Sequence, residues 1–180
     1  MKLNHLQNSI VSVIYVIIII SVSWIYLSCD SSVGPGYSAF DTGPLLFISD
    51  MNGTPQLWSM NEDGSDVKQL TFDPDIPIHD AKWSPDGTKI AISSHIPGLE
   101  GHHDFTNAIY IMNEDASGRR QITDPPTGFR IIGDGGIVWS PCGTKIAFSR
   151  HIPPEEAGKF FVYVVDLETG NESKKCKIIK

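Results

Sequence analysis

Histidine and carboxylate side chains cluster in one polar stretch of the sequence. His102, His103 and Asp104 are consecutive, and His95 lies seven residues before the first of them. Imidazole and carboxylate groups are ligands of transition-metal ions, so these four residues are the candidates for a metal site. No regular ligand spacing such as His-x3-His accompanies them. A solvated loop is therefore the default expectation, and no cofactor is predicted.

Two other features bear on catalysis. Asp41-Thr42-Gly43 has the triplet of aspartic proteases, but those enzymes need two carboxylates that share a proton, and the sequence contains no second triplet. His95-Ile96-Pro97 recurs as His151-Ile152-Pro153, which favours a role in turn architecture over a catalytic base. Nucleophile-elbow, phosphate-loop and dinucleotide motifs are also missing from the sequence. We therefore expect a protein without catalytic residues that is not an enzyme.

A nine-residue segment occurs twice. Trp83 to Ala91 reads WSPDGTKIA and returns fifty-six residues later as WSPCGTKIA, from Trp139 to Ala147, so eight of nine positions agree. Repeat periods from about 40 to 50 residues upward are typical of propellers and other arrays. The residues to which this pattern assigns a structural role are Trp83, Pro85, Asp86, Gly87, Trp139, Pro141 and Gly143. The tryptophans are expected to fill the space between adjacent sheets, and the Asp-Gly pair predicts a tight hairpin turn.

Shorter landmarks repeat in the same order. Leu57–Asp63 matches Ile109–Asp115, and Gln69–Thr71 matches Gln121–Thr123, both at an offset of fifty-two. A further set aligns Leu46–Ser49 with Ile90–Ser93 and Ile146–Ser149. These segments are apolar or β-branched and end at Gly, Pro, Asn or Asp, which is typical of strands. After residue 30 no helical periodicity is present. The sequence predicts an all-β fold of eleven strands in three units, about 44–72, 80–124 and 136–178, in which the first unit lacks its inner strand.

These repeats together resemble the TolB-type repeat, a WD-like β-propeller motif, over roughly residues 44 to 178. The resemblance implies an incomplete β-propeller of about three four-stranded antiparallel blades. TolB proteins combine an α/β domain with a six-bladed propeller and work in the Tol–Pal envelope system; this sequence has room for about half such a propeller. The same repeat occurs in propellers of prolyl-oligopeptidase-like peptidases. The resemblance therefore implies two functions: a non-catalytic envelope module for protein interaction or scaffolding, or the substrate-gating propeller of a peptidase.

The first thirty residues differ in composition from the rest. Ile10 to Leu27 carries no charge, which is longer than a signal-peptide core of about 7–15 residues and close to the ~20 that span a bilayer. Residues 1–29 are thus either a lipoprotein leader cleaved before a lipid-modified Cys29, the favoured interpretation, or an uncleaved hydrophobic helical anchor. Residues 30–43 are a predicted linker. Either alternative predicts a bacterial cell-envelope location on the periplasmic or outer side of the membrane.

Charge and cysteine content limit the partners. The net charge of −7 disfavours nucleic acid, whose binding rests on positive charge. Cys142 and Cys176 are candidates for a disulfide in an oxidising compartment, although they fall in different parts of their unit. Three blades are fewer than the ~4–8 of closed propellers, so we expect either part of a longer propeller or a homodimer that completes a ring. An envelope protein is the expected partner, with membrane contact through the N-terminal lipid or helix.

Overall fold

The computed structural model describes residues 44–97, 106–126, 133–151 and 160–178, and for residues 151 and 176–178 it describes the backbone alone. The predicted leader, N-terminal helix and linker lie outside these residues. Within the described part no helix is long and apolar enough to cross a membrane. The strands there are β1 (Leu45–Ser49), β2 (Gln56–Met60), β3 (Lys68–Gln69), β4 (Ile78–Trp83), β5 (Lys89–His95), β6 (Asn107–Asn113), β7 (Arg120–Gln121), β8 (Asp134–Trp139), β9 (Lys145–His151), β10 (Phe160–Asp166) and β11 (Glu172–Ile178).

The strands form three antiparallel sheets in chain order. Sheet 1 contains β1-β2-β3, sheet 2 contains β4-β5-β6-β7, and sheet 3 contains β8-β9-β10-β11. The central strands are rich in β-branched and aromatic residues, and β5 and β6 are buried along nearly their whole length, as expected for strands packed on both faces. The all-β prediction is confirmed for the described residues. Sheet 1 has three strands there, and no described strand occupies its inner position.

The repeated nine-residue segment forms the same turn in sheets 2 and 3. Gly87 and Gly143 adopt φ angles of 70° and 69°, a region that costs little only for glycine. The amide of Gly87 donates to the carbonyl of Ser84 at 2.9 Å, and Gly143 donates to Ser140 at the same distance. The Asp-Gly pair and its Cys-Gly counterpart therefore build the hairpins that the sequence predicts.

Strand pairing corrects one alignment made from the sequence. Phe47 pairs with Trp58 in sheet 1, and the corresponding pair in sheet 2 is Ile92 with Tyr110. Phe47 therefore occupies the position of Ile92, whereas the sequence alignment placed it opposite Ala91. The sequence alignment of β1 with β5 is therefore wrong by one residue. A shift of one residue moves every side chain of a strand to the other face of the sheet.

Two apolar clusters join the sheets. One contains Leu57 of sheet 1 and the side chains of Ile90, Ile92, Tyr110 and Met112 in sheet 2. The other joins sheet 2 to sheet 3 through Ala91, Ile109, Ile111, Ile137, Ile146, Phe148 and Val165. Sheet 2 thus presents one face to sheet 1 and the other to sheet 3.

The two repeated tryptophans lie at the junctions between the sheets. Trp83 packs against the first cluster and Trp139 against the second. Trp83 Nε1 donates to the carbonyl of Pro44 at 2.8 Å, and Trp139 Nε1 donates to that of Lys82 at 3.2 Å. Each indole therefore joins its sheet to the preceding one by apolar contact and by one hydrogen bond.

Candidate functional site

The candidate metal residues of the sequence are only partly described. His95 ends β5, whereas His102, His103 and Asp104 lie outside the described residues, as do Asp41, Thr42 and Gly43 and the lipidation candidate Cys29. Across the described ranges no group of three or more His, Cys, Asp or Glu residues is arranged to hold a metal ion. The predicted loop site thus remains a prediction.

The repeat residues are engaged in turn structure. Asp86 accepts hydrogen bonds from Ser84 Oγ at 2.6 Å, from the Thr88 amide at 3.1 Å and from Thr88 Oγ1 at 3.0 Å. The Ser84 hydrogen bond, followed by those of Thr88, lowers the pKa of Asp86 below its ordinary value although burial opposes this. Pro85 and Pro141 stand at the same place in the two turns, and the Pro85 ring is adjacent to Gly143 of the next sheet. These residues stabilise the fold.

Cys142 replaces the turn aspartate in sheet 3. Its sulfur lies 3.4 Å from Ser140 Oγ and 3.1 Å from Thr144 Oγ1, so it occupies the position of the Asp86 carboxylate. Cys176 pairs with Val162 in β11, at the other end of the sheet from this turn. Because bonded cysteines have Cα atoms within about 7 Å, the register disfavours the predicted pairing of these two residues.

A buried guanidinium links strands β8, β9 and β11 of sheet 3 on the face that this sheet packs against sheet 2. Arg150 donates to both oxygens of Asp134, at 2.6 and 2.7 Å, and to Glu172 at 2.7 Å. The side chains of Arg150 and Asp134 are 5% and 0% exposed, so both charges are removed from water. Burial opposes the charge of Arg150, but the hydrogen bonds to Asp134 and Glu172 hold its pKa above its usual range. Burial raises the pKa of Asp134 in spite of its hydrogen bonds with Arg150.

The junction of sheets 1 and 2 contains a guanidinium that comes from a different strand position. Arg119 donates to Ser94 Oγ, and its Cζ lies 4.3 Å from the centre of the Tyr110 ring. Ser94 corresponds to Arg150 in the repeat, and strand pairing makes Arg119 correspond to Glu172. Arg150 is likewise stacked on aromatic rings, 4.8 Å from that of Tyr163. The two copies therefore keep a cation in the same space but supply it from different positions.

An open groove of about 570 Å³ lies between the outer strand of sheet 2 and the β10–β11 hairpin of sheet 3. We call it the intersheet groove. One wall is formed by residues 120–124 and the other by residues 165–167, Gly170 and Glu172. Its volume falls within the ~300–1,000 Å³ of ligand pockets. The repeat positions this groove because β7 contains only two residues and leaves the hairpin of the next sheet accessible.

The charges in the intersheet groove differ in how they are held. Lys145 forms an ion pair with Asp166, and Glu172 is bound to Arg150 and also accepts the Asp124 amide at 3.0 Å. The Lys145 hydrogen bond is the main cause of a pKa of Asp166 far below its usual range. Arg120 is exposed and, among the described residues, forms no ion pair. Among the described residues, the groove thus presents Arg120 beside two ion-paired carboxylates, Asp166 and Glu172, and the exposed Asp124. Sequence reasoning missed the groove because its walls come from different repeats.

His79 is a second residue that sequence reasoning missed. Its ring centre lies 4.8 Å from that of His95, at an interplanar angle of 39°. His79 belongs to β4, the inner strand of sheet 2, and no repeat or motif distinguishes it in the sequence. The structure therefore brings His95 next to a histidine outside the cluster that the sequence singles out.

Comparisons with known proteins define the fold. No model of a known protein family matches the chain. An uncharacterised protein of Agrobacterium fabrum is 30% identical over 131 residues, which cover 68% of this chain and 41% of that protein. A structure assigned to TolB of Agrobacterium tumefaciens is similar with a TM-score of 0.58 and 21% identity, covering 74% of this chain and 45% of that one. An oligogalacturonate lyase of Vibrio parahaemolyticus gives a TM-score of 0.54 and 22% identity, covering 80% of this chain and 36% of that one.

Repeated antiparallel sheets packed face to face, each with a tryptophan at the junction, define a β-propeller architecture. The described residues form a partial propeller of the TolB-like kind, with three consecutive blades that correspond to sheets 1 to 3. The chain spans less than half the length of the proteins to which it is similar. A propeller carries enzymes and non-enzymes alike, so the fold by itself does not show catalysis.

Proposed function

We propose that this chain is a non-catalytic β-propeller module of the bacterial cell envelope that binds another protein through the intersheet groove. The observation that carries the proposal is the groove itself: a concave space between two packed sheets, with both polar and apolar lining and with the exposed Arg120 on one wall. The partner follows from this chemistry. It is a protein segment whose carboxylate pairs with Arg120 and whose polar groups meet the hairpin of sheet 3.

The backbone of β7 adds to this case. Among the described residues β7 is the outermost strand of sheet 2 and pairs with β6 alone, so its other edge has no strand partner there and can accept an extended chain. Protein segments commonly add to such an edge through main-chain hydrogen bonds, while pockets beside the edge select side chains. The groove provides that space next to Arg120 and Gln121. An extended segment of the partner is therefore the form of ligand that suits the site.

Envelope location is part of the proposal and rests on the sequence. The uncharged segment Ile10–Leu27 and the cysteine that follows it support export and anchoring at Cys29. Mass spectrometry of the mature N-terminus from a membrane fraction tests this. A lipid-modified Cys29 supports the proposal, whereas an intact leader supports the uncleaved anchor. A Cys29 sulfur that is unmodified or held in a disulfide contradicts lipidation, because the lipid would occupy that sulfur.

Site-specific photo-crosslinking in intact cells tests the groove. A benzophenone amino acid replaces Gln121 in the groove, and a second chain carries it at Glu114, an exposed turn residue outside the groove. We expect a discrete protein adduct from position 121 and none from position 114. With the captured protein purified, Arg120→Glu should weaken binding at least about tenfold because it replaces the pairing cation by an anion. Equal adducts at both positions, or unchanged affinity of Arg120→Glu, contradict the proposal.

The alternative, the substrate-gating propeller of a prolyl-oligopeptidase-like peptidase, remains a separate hypothesis from the sequence. It predicts a hydrolase domain encoded in the same open reading frame as these repeats. Further repeats of the TolB type without such a domain favour the interaction module. Sequencing the genomic region around these repeats separates the two functions.

A further inference from the structure

A bulge in β4 determines where the His79 side chain lies. Ile78 pairs with Ser94, and Asp80 pairs with Ser93, the residue before it, so His79 is an extra residue in its strand. Bulges reorient a side chain relative to the regular pleat, and they occur preferentially beside functional sites. This one brings the exposed His79 ring to 4.8 Å from the His95 ring on the neighbouring strand.

This separation suits two imidazoles that share one metal ion. Zinc is bound by imidazole nitrogen at about 2.0–2.1 Å, so two rings on one ion have their centres roughly 5 Å apart. The rings lie on adjacent strands of a sheet that is packed on both sides, and this limits the rearrangement needed. His79 is exposed, so an ion can reach the pair from solvent.

Asn107 supplies a third donor beside the pair. It is the strand partner of His95, and directly opposite residues of an antiparallel pair project their side chains to the same face. Among the described residues its Oδ1 is buried without a hydrogen-bond partner, and leaving a buried acceptor unsatisfied is unfavourable. Gly133 allows the Asn107 side chain to approach, since a Cβ there would lie 3.1 Å from Asn107 Nδ2. A bound cation would satisfy this oxygen.

We propose that His79 and His95, with Asn107 Oδ1 as an oxygen ligand, bind a divalent transition-metal ion of the zinc or copper class. Water completes the coordination. The site differs from the loop cluster of His102, His103 and Asp104 that the sequence indicates, and it shares only His95 with it. It is also separate from the intersheet groove, so it goes beyond the proposed interaction function and can be tested independently.

Calorimetric titration of the full-length chain in detergent micelles, after removal of metal by a chelator, tests the proposal. We expect one Zn²⁺ per chain and no binding of Mg²⁺, which prefers oxygen ligands. His79→Ala and His95→Ala should each weaken zinc binding about tenfold or more, and Asn107→Ala should weaken it less. With Cu²⁺, which N/O ligands bind more tightly than other divalent first-row ions, electron paramagnetic resonance should show two coordinated imidazole nitrogens.

The double variant His102→Ala/His103→Ala is the matched control and should bind zinc as tightly as the wild type. Circular dichroism without metal checks that each variant is folded, and His79→Gln provides a polar replacement of similar length. Three results overturn the proposal: a wild-type chain that takes up no zinc at millimolar concentration, unchanged affinity of both His79 variants, or loss of binding in the His102/His103 double variant.

Discussion

Arg150 is the residue whose removal should affect the fold most. Its guanidinium forms ion pairs with two carboxylates, and its side chain and that of Asp134 are almost fully buried. Removing one member of a buried ion pair leaves an uncompensated charge in a low-dielectric space, which costs about 3–5 kcal/mol. We expect Arg150→Met to lower the free energy of unfolding by about that amount, measured by chemical denaturation.

The control for Arg150 is an exposed ion pair in the same chain. Lys68 Nζ and Asp66 Oδ2 lie 2.7 Å apart, and the two side chains are 62% and 54% exposed. Pairs of this kind contribute about 0–1 kcal/mol, so Lys68→Met should change the free energy of unfolding by less than about 1 kcal/mol. A similar loss in both variants would contradict the importance given to burial.

Asp86 should make the stability of the first hairpin turn depend on pH. Its folded pKa lies below its unfolded value, so the stabilisation is fully present above the unfolded pKa of about 3.9 and is lost as the pH falls through the folded pKa. Asp86→Ala removes hydrogen bonds from Ser84 and Thr88, and it should cost about 1 kcal/mol at pH 7. Denaturation at pH 7 and at pH 3 should show a smaller difference from wild type in acid.

Glu114 is the control for this pH effect. It is an exposed turn residue, so Glu114→Ala should leave the unfolding free energy nearly unchanged at both pH values. An Asp86→Ala effect that is the same at pH 3 as at pH 7 would show that the carboxylate charge is not what stabilises the turn.

At the scale of single elements, the irregularity of β8 depends on one glycine. Between Gly135 and Val138 the register of β8 against β9 shifts, and Gly136 there has a φ of 64°. A Cβ at Gly136 would also approach Ser149 Oγ to 3.3 Å. Because left-handed backbone costs a non-glycine residue about 1–2 kcal/mol, Gly136→Ala should lower the free energy of unfolding by that amount in a denaturant titration.

Gly135 provides the comparison within the same strand. It has no positive φ, and a Cβ added there meets no atom within 4 Å. Gly135→Ala should therefore change the unfolding free energy by less than about 0.5 kcal/mol. Equal effects of the two substitutions would mean that glycine content rather than backbone conformation limits the strand.

The sequence predicts the elements better than their registration. Repeated segments with turn signals identify the hairpin at Asp86 and Gly87, because local chemistry suffices there. The register of β1 escapes prediction because Leu45–Ile48 is continuously apolar and shows no alternation that would distinguish its two faces. The position of the His79 side chain could not be predicted, because no residue type in the sequence identifies a bulge. The ion pairs of Arg150 could not be predicted, because its partners lie sixteen and twenty-two residues away in sequence.

For the whole molecule, sheet 1 presents a face that has no further sheet on it among the described residues. By strand pairing, Leu45, Phe47, Trp58 and Met60 occupy the positions that sheets 2 and 3 pack against their predecessors. Phe47 and Trp58 are stacked with ring centres 6.3 Å apart, and Leu45 is 43% exposed. Of the two alternatives predicted from the blade count, the homodimer would use this face as part of its contact.

Sedimentation of the full-length chain in detergent micelles tests that arrangement. We expect twice the monomer mass for the wild type and for Phe72→Lys, which alters an exposed residue outside this face. Trp58→Lys should shift the species towards monomer, because it places a charge in an apolar contact. A wild-type chain that stays monomeric at every concentration, or a Trp58→Lys chain that associates as strongly as wild type, contradicts the dimer.

The exchange of cation positions between sheets 2 and 3 has a consequence for protein engineering. A consensus design treats each repeat position separately. It would choose between Ser94 and Arg150 at one position and, independently, between Arg119 and Glu172 at another. One combination places two arginines in the same space, and another places a glutamate there without an arginine. A designed additional blade must therefore take the residues at both positions from the same natural blade.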